Sequence, residues 1–169
     1  MKHAPPPPLI GPEHAALIRR RVSIIVGSRD ERNRPHVMRA VGCRLAEDLR
    51  RITVFMPPSS SAHVIADLRA NGLIAVVFSE PSTNRTLQFK GRDAQIVPAE
   101  PGDPAIVARY VERFAQEIGE LGFPAEVVKT MFAHDDDDLV ALRYTPDAVF
   151  EQMPGPKAGE PLAAGGAAS

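Results

Sequence analysis

The chain is a run of strand-like segments with little helical pattern between them, and that order excludes most folds. "VSIIVGS", "HVMRAVGCRL", "RITVFM", "LIAVVFS", "RTLQFKG" and "LVALRYTPDAVFEQ" are rich in β-branched residues or alternate apolar with polar, the mark of strands. Helical spacing is confined to residues 13–20, "AHVIADLRA" up to the Asn71-Gly72 stop, a stripe over 103–121 and a short piece over 125–132. A doubly wound parallel sheet needs a helix between most strands. Five or six strands with so few insertions predict a mainly β, mostly antiparallel barrel with peripheral helices. "LIAVVFS", apolar on both faces, belongs at the centre of a sheet, and Gly91 predicts a bulge.

Composition narrows the partners. With 44% hydrophobic residues, 5% aromatic and no Trp, the core is expected from Val, Ile, Leu and Ala. A net charge of −1 gives no general attraction to nucleic acid or to an anionic membrane. A single cysteine, Cys43, excludes an intramolecular disulfide. The N-terminus lacks the apolar core of a signal peptide, and no apolar run approaches the roughly 20 residues that span a bilayer, so a soluble cytoplasmic protein is expected. The prolines at 5–8 predict an extended lead-in over 1–12, followed by one barrel domain over 13–154 and a flexible, low-complexity tail over 155–169.

Several residues are candidates for chemistry. Alternation groups Val37, Arg39, Val41, Cys43 and Leu45 on one face, so the charge of Arg39 needs a partner. That partner is either an acidic side chain at the barrel rim or a bound anion. Ser59, Ser60 and Ser61 follow a strand and open a helix, which reads as ordinary capping or as a phosphate site. Thr86, Gln88 and Lys90, just after Arg85, share one strand face, which meets either water or a ligand or partner chain. The run 135–138, after His134, lacks the spaced ligands of a calcium loop and reads as a solvated turn. His3, His14, His36 and His63 show no metal-binding spacing. Cys43 reads as a small core residue, and no nucleophile elbow or Ser-His-Asp order is visible.

In their order, "VSIIVGS…RPHVMRAVGC", "ITVFMPPSSSAHVIADLRANGLIAVVFS", "RTLQFKG" and "YTPDAVFEQMPGPKAG" resemble the FMN-binding split barrel of the pyridoxamine 5′-phosphate oxidase-like superfamily, in its uncharacterised bacterial branch. The resemblance implies a Greek-key-like split β-barrel and a homodimer with FMN at the subunit interface, acting as an oxidoreductase on a small organic substrate. By position, Arg39 and Val41 would lie under the flavin, Phe55 and Met56 beside it, and Ser59, Ser60 and Ser61 on its phosphate. Gln88 and Lys90 would face the partner subunit or the flavin. Flavin-binding members commonly place Lys or Arg in the serine turn. Here Ser60 and Ser61 stand there, with His63 two residues beyond, and Arg39 and Arg85 are the cations left to compensate. The alternative is a non-enzymatic dimeric barrel holding haem, through His36, His63 or His134, or using F420, or binding neither.

Overall fold

A computed structural model of the chain describes residues 7–164. Its elements run α1 (Pro12–Ile18), β1 (Ser23–Arg29), β2 (Pro35–Arg39), β3 (Gly42–Leu45) and β4 (Ile52–Met56), then a 3-10 turn (Pro58–Ser60), α2 (Ala62–Asn71) and β5 (Ile74–Ser79). They continue with β6 (Thr86–Gly91), β7 (Gln95–Pro98), α3 (Asp103–Glu120), α4 (Ala125–Met131), β8 (Val140–Tyr144), β9 (Pro146–Glu151) and β10 (Pro161–Ala164). The strands form a six-stranded sheet, β10-β9-β6-β5-β1-β2, and a four-stranded sheet, β3-β4-β8-β7. Every pairing among the described strands is antiparallel.

There are more strands than the sequence suggests because three long segments each pass from one sheet to the other and because β10 forms where a tail is expected. "HVMRAVGCRL" divides into β2 and β3, the segment around Gly91 into β6 and β7, and "LVALRYTPDAVFEQ" into β8 and β9. At Gly91 the register shifts, and a Cβ there would lie 2.6 Å from Tyr144 and 2.9 Å from the Thr145 carbonyl. Only glycine fits this crossing. β5 sits inside its sheet, as its two apolar faces require.

The division of "HVMRAVGCRL" corrects the face assigned to Arg39. Met38 and Ala40 turn inward with Ile24 and Val26, while Val37 and Arg39 turn out. Val41 and Cys43 lie beyond the crossing, so period-2 alternation does not carry through it. The main core fills the space between the sheets, with Ile24, Val26, Ile52, Val54, Met56, Val76, Phe78, Phe89 and Leu142. α1 and α2 contribute Leu17, Ile18, Val64 and Leu68 to it.

A second core lies on the far side of the four-stranded sheet, where Val41, Phe55 and Ala141 meet Val107, Phe114, Val128 and Phe132 of α3 and the α4 region. The predicted stripe on α3 holds except at its end, where Leu121 is exposed. Of the expected lead-in and tail, residues 1–6 and 165–169 lie outside the described residues. Ile10, inside the expected lead-in, is buried in the main core, and β10, inside the expected tail, pairs with β9 as an edge strand.

Candidate functional site

The two sheets differ in what covers them. The four-stranded sheet is covered on both faces, by the barrel core and by α3 and α4. Among the described residues no helix core packs across the outer face of the six-stranded sheet. Ile25, Ala75, Val77, Gln88 and Phe150 are half-buried there, and Val37 is 71% exposed. Register aligns Arg39, Ile25, Val77, Gln88 and Phe150 in one row. The next row is Val37, Gly27, Ala75, Lys90 and Ala148. The face is small-chained and apolar at its middle, with polar groups towards its sides.

Arg39 stands at one side of that face, half-buried. Its Nη1 donates to Ser23 Oγ at 2.6 Å, and its guanidinium lies 6.0 Å from the Phe132 ring centroid. No carboxylate among the described residues forms an ion pair with it. A half-buried guanidinium held by a hydroxyl and a ring keeps most of its donors for an anion. Lys90, on the same face, is exposed with Nζ 4.6 Å from the Phe150 ring centroid, and Gln88 accepts from Gln152 at 3.4 Å. Gln88 is three strands from Arg39, roughly 14 Å at ordinary strand spacing.

The serine turn lies elsewhere and is already engaged. The Ser59 N–H donates to Asp138 Oδ1 at 3.1 Å, and its hydroxyl donates to Asp138 Oδ2. Ser60 Oγ donates to the Pro57 carbonyl at 3.4 Å. Ser61 occupies the N-cap of α2, yet its hydroxyl is buried without a partner among the described residues. The run of four aspartates is thus more than a solvated turn, because Asp138 docks onto the serines.

The remaining predicted residues are dispersed. Val41 and Phe55 belong to the second core and Met56 to the barrel core, so their side chains present no surface to a ligand. Arg85 is exposed in the turn between β5 and β6. Burial pushes the Cys43 thiol up to about 12, which keeps it protonated and un-nucleophilic at neutral pH.

One polar cluster joins two histidines named from the sequence, His36 and His63, to a carboxylate that was not. Asp67, buried on α2, accepts from Ser28 Oγ at 2.7 Å, and His36 Nδ1 lies 2.8 Å from the same oxygen. His63 stacks on His36 with ring centroids 4.9 Å apart. The signal was a carboxylate between Ile65 and Leu68 on the apolar stripe of "AHVIADLRA", a place where a charge needs partners. Among the described residues, no group of three or more His, Cys, Asp or Glu is placed to hold a metal ion. No described helix is long and apolar enough to cross a membrane.

No protein-family model matches the sequence, and no curated protein matches it either. Solved structures do match. HupZ of Group A Streptococcus superposes with a TM-score of 0.54 at 18% identity, covering 89% of this chain and 100% of that one. An F420 reductase gives 0.52 at 19% identity, covering 79% and 93%. A pyridoxamine 5′-phosphate oxidase-related, FMN binding protein of Nostoc punctiforme PCC 73102 gives 0.52 at 14% identity, covering 88% and 86%. This is the pyridoxamine 5′-phosphate oxidase-like split-barrel fold. At these identities the likeness is one of fold, and a split barrel's ligand must be argued from its own residues.

FMN can be tested against those residues. The uncovered face suits a flat ring, and Arg39 suits an anionic group beside it. At the serine turn the Ser59 N–H and hydroxyl suit an oxyanion, since a carboxylate is bound to them. The donors therefore fit a phosphate in kind, with Asp138 as the chain's own stand-in.

Proposed function

We propose that this chain is a homodimeric flavin-binding split barrel that uses FMN to oxidise or reduce a small organic substrate. The observation that carries the reading is the outer face of the six-stranded sheet, apolar at its middle and, among the described residues, uncovered and with no acidic partner for Arg39 at its side. A sheet face of this kind asks for burial, and a second copy of the same face supplies it together with a floor for a planar ring. When bound, the flavin supplies the hydride chemistry, which suits a chain whose lone thiol is protonated. Arg39 would meet negative charge at the ring, the phosphate going to the serine turn, and Gln88 and Lys90 would orient the ring or meet the partner subunit. The F420 reductase among the structural matches makes that deazaflavin the nearest substitute on the same face.

Haem is a second reading with one observation in its favour. The Asp67 carboxylate holds His36 at Nδ1, which leaves Nε2 as the ligating atom, the arrangement that orients metal-binding histidines. The absorption spectrum of the purified protein separates the readings: flavin bands are expected, while a Soret band would replace the flavin reading with haem. Light scattering is expected to give twice the 18.3 kDa of one chain across micromolar concentrations. A monomer mass throughout that range would remove both the shared site and the paired face.

A further inference from the structure

The contact between Asp138 and the serine turn has a consequence for any phosphate-bearing ligand. The Ser59 N–H and hydroxyl, the donors aligned for an oxyanion, are spent on the Asp138 carboxylate, which comes from the loop entering β8. Beside them, at the N-cap of α2, the Ser61 hydroxyl is buried with no partner among the described residues, a donor left open to an acceptor from outside the chain. We propose that Asp138 is an intramolecular plug of the serine turn, occupying the place of a ligand phosphate until that phosphate displaces it. The inference rests on the flavin reading for the identity of the ligand, but not for the contact itself.

A phosphate entering this turn exchanges one set of charge-assisted hydrogen bonds for another and gains little from the exchange. It also meets the charge of the displaced Asp138. The turn is thereby set against phosphates, and whatever moves the 135–138 loop changes affinity for them without touching the ring site.

Four proteins test this: wild type, Asp138→Asn, Asp138→Ala, and Asp136→Asn as a control that removes one charge and leaves the plug. Each is titrated with FMN and with riboflavin by flavin fluorescence. Asp138→Ala is expected to tighten FMN about tenfold, the factor of one hydrogen bond to a charged group. Riboflavin should change less than about twofold, and Asp136→Asn should leave both near wild type. Equal tightening of both flavins, weaker FMN, or the same gain from Asp136→Asn would overturn the plug.

Inorganic phosphate followed at the Ser59 and Ser61 amides by NMR separates this from failure of the flavin reading. If neither flavin binds any of the proteins, the flavin reading falls. The plug then stands if phosphate shifts those amides saturably in Asp138→Ala and not in wild type. It falls with the flavin reading if the amides respond alike in both.

Discussion

Replacing Asp67 by alanine is expected to lower the melting temperature by about 6–12 °C. Asp67 is buried on the inner side of α2 and accepts from two groups, Ser28 Oγ at 2.7 Å and His36 Nδ1 at 2.8 Å. Alanine removes both bonds and leaves the buried Ser28 hydroxyl without an acceptor. Hydrogen bonds to charged groups contribute about 1.5–3 kcal/mol each and do not add fully, so a loss of about 3 kcal/mol is reasonable. In a domain of this size each kcal/mol moves the midpoint by about 2–4 °C.

Asp67→Asn keeps one acceptor oxygen and should lose about half as much. The same substitutions test whether the cluster organises α2, because α2 begins at the serine turn and ends where Asn71 Nδ2 donates to the Arg29 carbonyl. If Asp67→Ala melts within about 2 °C of wild type, that limit being what one kcal/mol moves it at the low end, the cluster is ornamental and α2 is held by Val64, Ile65 and Leu68 alone.

The architecture was legible where local chemistry and tertiary demand agree. Gly72 ends α2 in the left-handed conformation with φ 67°, as the Asn71-Gly72 pair predicts. Gly91 marks the shift between β6 and β9, and the two apolar faces of "LIAVVFS" placed β5 within the larger sheet. What was hidden is where a strand leaves one sheet for the other. The apolar pattern of "HVMRAVGCRL" looks continuous because both sheets bury one face, and alternation carries no mark of a crossing.

The site was legible in part for the same reason. Gln88 and Lys90 stand on the outward face that their alternation with Leu87 and Phe89 predicts. Phe55 and Met56 are core because β4 is covered on both sides, and Thr53 within the strand masks that double cover in the sequence. The meeting of Ser59 with Asp138, 79 positions away in sequence, is set by the pairing of β4 with β8. No local rule reports such a contact.

Arg39→Met is expected to weaken FMN binding about 10- to 150-fold, the equivalent of about 1.5–3 kcal/mol for a hydrogen bond to a charged group. Methionine keeps much of the stem that packs on the sheet and removes the charge and its donors. The cost to the ligand-free protein should be far smaller. Arg39 gives up one bond to Ser23 Oγ and a ring contact to Phe132 at 6.0 Å, and it has no carboxylate partner among the described residues whose charge would be stranded. A neutral-partner hydrogen bond contributes about 0.5–1.5 kcal/mol, so the midpoint should fall by no more than about 6 °C.

Arg39→Lys sharpens the test, because a lysine keeps the charge and loses the planar fork. Recovery of most of the affinity by lysine would show that a point charge suffices, and failure to recover it would show that the anion is held by paired donors. If instead the ligand-free Arg39→Met protein unfolds while the remaining FMN affinity is unchanged, Arg39 belongs to the framework. The anion handle would then have to be sought at Lys90 or Arg29, cations whose strand positions share that face.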